Sequence, residues 1–289
     1  MKANTNASAQ FWKSAEPNFD YGFLYQSAIL PHGGILMKRI VSAFLLCVIF
    51  LCPPSWADGA SVLRCGEYSY TLQQDGSAEI VEYTGNPEAL ELPAFLDGHP
   101  VTSIGDGAFQ NGNRIQSITI PDSLVTVGSN PFSSCAALEK LFVSPKHKTL
   151  AVIDGVLFSK PDHRLVCFPA ELFTNFYSVP DGTTLISDNA FFHSKHLLTV
   201  TIPASVSKIG ESAFSACLYL EKVILSDGVR EIGDYAFHLC ERLQSVKLPE
   251  SITDIGRYAF LGCYKLSELS FSRNSTVIGE GAFLQVPLQ

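Results

Sequence analysis

The chain has 289 residues, a formal net charge of −8 and a hydrophobic share of 46%. That is enough apolar material for a packed core, and it excludes a disordered polymer. The acidic balance argues against nucleic acid or an anionic membrane surface as a partner, since both would repel it, and solubility accounts for the charge.

In chain order, Met37-Lys38-Arg39 precedes an apolar run from Ile40 to Cys52, then Pro53-Pro54-Ser55-Trp56-Ala57. This is the layout of a secretory signal peptide over residues 37–57, with cleavage expected after Ala57. The apolar run is 13 residues, whereas a membrane-spanning helix takes about 20, so a permanent transmembrane anchor is the poorer reading. Leu46 before Cys47 and Leu51 before Cys52 do not offer the small residue that lipidation requires. Residues 1–36 then read as a non-native extension in front of a true start at Met37. Residues 58–289 keep 16 basic and 26 acidic residues, net −10.

Residues 58–103 are expected to form an N-terminal capping coil, and residues 104–289 a solenoid, because a six-residue string then recurs. Ile104-Gly105-Asp106-Gly107-Ala108-Phe109 returns as Ile209–Phe214, Ile232–Phe237, Ile255–Phe260 and Ile278–Phe283, with weaker copies at Val127–Phe132 and Ile186–Phe191. From Phe191 onward the step is 23 residues. Six residues after each phenylalanine, at 115, 138, 197, 220, 243 and 266, a leucine or isoleucine opens a second signature, as in Leu243-Gln244-Ser245-Val246-Lys247-Leu248-Pro249. Its alternation predicts a short strand with one buried face, ended by proline, which has no N–H for a continuing ladder. A 23-residue coil cannot bury its own apolar side, so the coils must stack. The glycine after the isoleucine is expected to allow a tight corner, and the alanine a close turn.

Phe132 to Phe191 spans 59 residues instead of 46, which implies one enlarged coil at about residues 144–185. Inside it, Val156-Leu157-Phe158 and Leu165-Val166-Cys167-Phe168 flank Lys160-Pro161-Asp162-His163 and read as a β-hairpin. The sequence stops six residues past Phe283 without a polar capping repeat. A covering partner, a truncated product and a fraying last coil stay open as readings.

Cys135, Cys217, Cys240 and Cys263 each lie three residues after the repeat phenylalanine, so they are expected to be a ladder of buried thiols and not disulfides. Pairing of Cys65 with Cys167 stays open. His193-Ser194-Lys195-His196 has a spacing that metal sites use, but without an adjoining carboxylate pair in sequence it reads as a solvated loop. The Asp-Gly pairs at 75, 97, 106, 154, 181 and 227 read as turns and not as calcium loops. No metal, cofactor or catalytic constellation is expected, so the chain reads as a non-enzyme. Asn274-Ser275-Thr276 is a formal glycosylation sequon.

The combination of Ile-Gly-x-x-Ala-Phe, a following Cys and Leu-x-x-Ile/Val-x-Leu/Ile-Pro resembles the BspA-like leucine-rich repeats, also called the Treponema pallidum type, of bacterial exported and surface proteins. The resemblance runs from about Gly66 to Phe283. It implies a β-rich α/β solenoid with a parallel sheet on one face and short strands or helical turns on the other. If Leu243, Val246 and Leu248 point inward, two rows point out. One is Ser117, Lys140, Thr199, Lys222, Ser245 and Glu268; the other is Thr119, Phe142, Thr201, Ile224, Lys247 and Ser270. In leucine-rich repeats such rows form a surface suited to protein ligands, with Phe142, Ile224, Lys140, Lys222 and Lys247 the first candidates here. The function implied is a secreted or cell-surface protein that binds another protein, such as host extracellular matrix or a second surface protein, as an adhesin would. The alternative is an envelope assembly component that self-associates through its last coil.

Overall fold

The computed structural model describes residues 61–110, 112–270 and 276–287, with Ser270 described by its backbone alone. The start-site and signal-peptide readings, Asn274 of the sequon and the last two residues lie outside the described residues.

The described chain opens with an antiparallel meander of β1 (Leu63–Cys65), β2 (Tyr68–Leu72) and β3 (Ala78–Tyr83). Next come β4 (Ala89–Glu91), β5 (Phe95–Leu96) and β6 (His99–Ile104), the last lying parallel to β3. Asp97 and Gly98 both have positive φ, 49° and 86°, as the tight β5–β6 hairpin requires. Coils then alternate a longer strand with a two-residue one: β7 (Ser117–Ile120), β8 (Thr126–Val127) and β9 (Lys140–Val143). The enlarged coil adds β10 (Leu150–Ile153), β11 (Val156–Ser159) and β12 (Arg164–Cys167). Regular alternation resumes with β13 (Phe176–Ser178), β14 (Leu185–Ile186), β15 (Thr199–Ile202), β16 (Lys208–Ile209), β17 (Lys222–Leu225), β18 (Glu231–Ile232), β19 (Ser245–Lys247), β20 (Asp254–Ile255), β21 (Glu268–Ser270) and β22 (Val277–Ile278).

The longer strands form the front of the stack and the short ones its side, joined in parallel from one coil to the next. The interior is a set of columns. Phe109, Phe132, Phe168, Phe191, Phe214, Phe237 and Phe260 are all buried. From Phe191 to Phe283 successive rings lie 4.4–5.4 Å apart with planes within 15°. That separation is set by the inter-strand spacing of about 4.8 Å. Burying one phenylalanine contributes about 1.5–3 kcal/mol, and no coil achieves it without its neighbours.

The helical half of the α/β expectation is not met: no helix forms among the described residues. The segment after each glycine does make i→i+3 bonds, such as Ser215 N to Ser212 O at 3.0 Å. However, Ser212 and Ala216 sit at φ 52° and 58°, a left-handed conformation that ends right-handed helix growth. The N–H groups of Ser212, Phe214 and Ala216 donate instead to Asp234, Ala236 and His238 of the next coil, at 2.7–2.9 Å. Bonds between coils replace bonds along a helix.

The motif glycine also differs from expectation. Gly210, Gly233, Gly256 and Gly279 have no left-handed φ; a methyl on any of them would lie 2.4–2.7 Å from backbone atoms of the coil before. Close approach between coils demands the glycine, not a corner. Ser187 can replace it because its neighbour in the preceding coil is β12, whose Arg164 Nη1 bonds the serine hydroxyl at 3.4 Å.

The extra residues of the enlarged coil lie between Phe132 and Phe168, since Phe168 stacks on Phe191 at 4.8 Å as a regular column member. The hairpin expected there is present as antiparallel β11–β12, preceded by a second turn at Asp154-Gly155 with φ 49° and 83°. It is buried on both faces. Val156, Phe158 and Leu165 join the core of the later coils, whereas Leu157, Val166 and Cys167 join that of the earlier ones. Alternating side chains thus make the hairpin a septum between two cores, which is why its strands are continuous apolar runs.

Candidate functional site

The front strands keep the alternation that the sequence predicts. Val200, Val223 and Val246 are buried, and the residues on either side of each face outward. Strand register confirms the rows: Thr199, Lys222, Ser245 and Glu268 are successive partners, as are Thr201, Ile224, Lys247 and Ser270. Ser117 pairs with Lys140, and Thr119 with Phe142.

The front is not one continuous sheet. β4, β7 and β9 form one sheet and β13, β15, β17, β19 and β21 another, with no pairing between β9 and β13. The twelve candidates therefore fall into two groups. Ser117, Thr119, Lys140 and Phe142 stand on the first sheet; the other eight stand on the second. Phe142 and Ile224, 51% and 40% exposed, stand on different sheets.

On the second sheet, Lys222, Ile224, Ser245, Lys247 and Glu268 meet around one groove of about 580 Å³. Neither Lys222 nor Lys247 forms an ion pair among the described residues, whereas Lys140 lies 4.0 Å from Glu139. The sequence reading missed Phe176, which begins the first row of the second sheet opposite Thr199 and is 71% exposed. Its signal was present: Pro180 lies 23 residues before Pro203 and Tyr177 23 before Val200.

The cysteines form the expected ladder of buried free thiols. Cys217, Cys240 and Cys263 donate their S–H to the carbonyls of Phe191, Phe214 and Phe237 at 3.0–3.1 Å. Burial pushes the Cys217 and Cys263 thiols up to about 12, so neither supplies a thiolate near neutral pH. Cys65 and Cys167 are also unbridged; Cys65 lies by Asp97, while Cys167 is buried in the earlier core with Cys135.

The solvated-loop reading of His193–His196 needs correction. Ser194 is buried, and His196 Nε2 lies 2.9 Å from Glu171 Oε2, a carboxylate supplied by the enlarged coil and invisible as a neighbour in sequence. Among the described residues no three His, Cys, Asp or Glu side chains converge as metal ligands, and no helix is long and apolar enough to cross a membrane.

A leucine rich cell surface protein from Faecalibacterium prausnitzii has a similar solved structure: 19% identity, 77% of this chain and 95% of that chain covered, TM-score 0.51. A T. pallidum leucine rich repeat protein is 26% identical, with 78% and 89% covered and a TM-score of 0.44. No curated protein matches the chain. The sequence model of the "BspA type Leucine rich repeat region" matches residues 89–172 and 164–289 in six copies. With repeats over most of its length and a stack built on their columns, the chain belongs to the BspA-type leucine-rich repeat family.

Proposed function

We propose that this chain is a non-catalytic protein-binding module, exported through its signal peptide and displayed outside the cytoplasm, that captures its ligand on the second front sheet. The observation that carries this reading is the groove around Ile224, where Lys222 and Lys247 form no ion pair among the described residues of an otherwise acidic molecule. Its strands are tied to neighbours along their length, so the side chains are presented without an ordering cost in the backbone. The ligand that fits is a protein surface with an apolar contact flanked by carboxylates. A role in adhesion to host matrix or to another cell-surface protein follows from such a surface on an exported protein; the similar F. prausnitzii protein is described as a cell surface protein.

Capture from serum and from extracellular-matrix extract tests it with two variants. Ile224→Asp with Lys247→Glu is expected to abolish capture, and Phe142→Asp, on the separate first sheet, to leave it intact. Undiminished capture by the double variant would remove the second sheet from the reading. N-terminal sequencing of the exported protein should begin at Asp58; retention of residues 37–57 would overturn the signal-peptide assignment.

A further inference from the structure

A second groove, of about 640 Å³, lies beside the starts of β13 and β15 and is lined by Glu171, Asn175, Lys195, His196, Leu218 and Tyr219 among others. Glu171, Lys195 and His196 already hold one another. Lys195 Nζ lies 2.6 Å from Glu171 Oε1 and donates to Ala136 O at 2.9 Å, and His196 lies against Oε2 of the same carboxylate. Hydrogen bonding from Lys195, then from His196, holds the Glu171 carboxyl below the usual range despite partial burial. The floor is therefore polar and fixed in place, with its one carboxylate already held by an ammonium.

Two exposed aromatic rings belong to the neighbourhood: Tyr219 lines the groove, and Phe173 stands against its His196. Phe173 is 82% exposed, and its ring stands 5.0 Å from that of His196. Tyr219 is 44% exposed and held under the Arg242 guanidinium at 4.8 Å. The exposed Asn175 carboxamide, which also lines the groove, makes no hydrogen bond among the described residues.

We propose that this groove binds a neutral saccharide chain. A pyranose offers an apolar C–H face, which suits an exposed aromatic ring, and a rim of hydroxyls that both donate and accept, which suits a carboxamide beside a held carboxylate and ammonium. A phosphate or acidic peptide would have to displace Glu171 from Lys195 and His196. A purely apolar segment would cover the polar floor without replacing its water, at a cost of about 1–3 kcal/mol per group. The size falls within that of small-molecule sites, about 300–1,000 Å³. The groove is separate from the second-sheet surface, so the two assignments stand or fall independently.

The test is calorimetric titration of the full chain with maltohexaose, laminarihexaose, mannohexaose and chitohexaose, and with hexaglutamate as the acidic competitor. At least one hexasaccharide is expected to bind. Phe173→Ala and Tyr219→Ala should each weaken it about tenfold, as loss of a principal contact does. Asn175→Ala should weaken it less, and Ile224→Asp with Lys247→Glu not at all. The aromatic substitutions are at exposed positions, and unchanged circular dichroism would confirm that the fold persists. No binding of any hexasaccharide at about 10 mM, a free energy weaker than about −3 kcal/mol, overturns the proposal. So does binding that survives both aromatic substitutions, or hexaglutamate binding in place of the sugars.

Discussion

The coils from Phe191 to Phe283 and the enlarged coil between Phe132 and Phe168 solve the same problem in different ways. In the first region each backbone finds its partner one repeat away, and like residues fall on like. In the second the repeat is lost and side chains take over the missing bonds. Arg164 donates to Val127 O at 2.8 Å and Gly128 O at 3.3 Å, with Asp162 3.0 Å from its Nε. Asn130 Nδ2 reaches Asn189 O at 2.6 Å, a contact 59 residues apart. Repetition makes a stack with interchangeable parts, whereas an interruption concentrates the connection in a few residues and leaves the front sheet divided. The two exposed phenylalanines at 173 and 176 lie just past this interruption, in the first regular coil after it.

The most damaging way to break that arrangement is through the septum. Phe158→Ala should cost about 3–5 kcal/mol in urea unfolding, since a fully buried ring leaves a cavity that the hairpin cannot close. Leu157→Ala, at the adjacent residue, should cost about 2–5 kcal/mol. The two should differ in where they act. Hydrogen exchange is expected to speed in the coils after the hairpin for Phe158→Ala and in those before it for Leu157→Ala. Identical exchange maps would mean that the hairpin does not separate two cores.

The next effect compares one motif glycine with another. Gly233→Ala would force a methyl to 2.7 Å from Glu211 N and Gly210 C, and about 1–3 kcal/mol of destabilisation is expected. Gly105, in the first copy of the motif, meets nothing closer than Ile80 O at 3.6 Å, so Gly105→Ala should stay within about 0.5 kcal/mol. Equal melting temperatures for the two variants would contradict close packing between coils as the reason for glycine.

These particulars show what could be read from sequence. The columns, the strand rows and the thiol ladder were legible because a fixed period puts the same residue in the same place, as at Cys217, Cys240 and Cys263. The hairpin was legible from two apolar runs around Lys160-Pro161. What was not legible depends on contacts that the period does not carry. Two residues ahead of β13 stands Thr174 where the repeat has leucine, and so Phe176 was passed over. Glu171 meets Lys195 and His196 one coil on, 24 and 25 residues away, but the later coils carry Cys217, Cys240 and Cys263 at its place in the period, so no repeat announces the carboxylate. The break between β9 and β13 follows from the extra chain length, whose path no periodicity prescribes.

A smaller and pH-dependent effect lies in the enlarged coil. His147 Nδ1 accepts from the N–H groups of Thr149 and Leu150 at 3.3 and 3.1 Å, and its Nε2 lies 3.2 Å from Pro121 O, an arrangement for the neutral ring. Burial lowers its pKa from the usual 6.5. The unfolded chain then takes up a proton first, so the stabilisation is complete above about pH 6.5 and drains as pH falls through the folded value. His238 shifts in the same direction, also through burial. The informative quantity is therefore the difference between the wild type and His147→Asn, whose amide oxygen can keep an acceptor near the two N–H groups without titrating. Stability measured from pH 7.5 down to pH 5 should fall less steeply in the variant; parallel curves would mean that His147 carries no proton-linked stability.

The smallest expected effect is a gain, and it belongs to the regular stack. The position two residues past each column phenylalanine is left-handed in five successive coils, at His193, Ala216, Leu239, Gly262 and Gln285. Four of them carry a side chain in that conformation, and at His193, Ala216 and Leu239 the N–H reaches the next coil; Ala216 N, for example, meets His238 O at 2.8 Å. Ala216→Gly keeps this bond and removes the clash of Cβ with its own backbone, while giving the unfolded chain more freedom. The first term exceeds the second at φ 58°, and a net gain of about 0.5–1 kcal/mol is expected. Gly262→Ala is the reciprocal: it adds the same strain at φ 78° and places a methyl 2.9 Å from Leu239 Cδ2, so it should lose more than Ala216→Gly gains. If Ala216→Gly instead lowers the melting temperature, the left-handed turns are not strained, and the absence of helix in this fold would have to come from the inter-coil bonds alone.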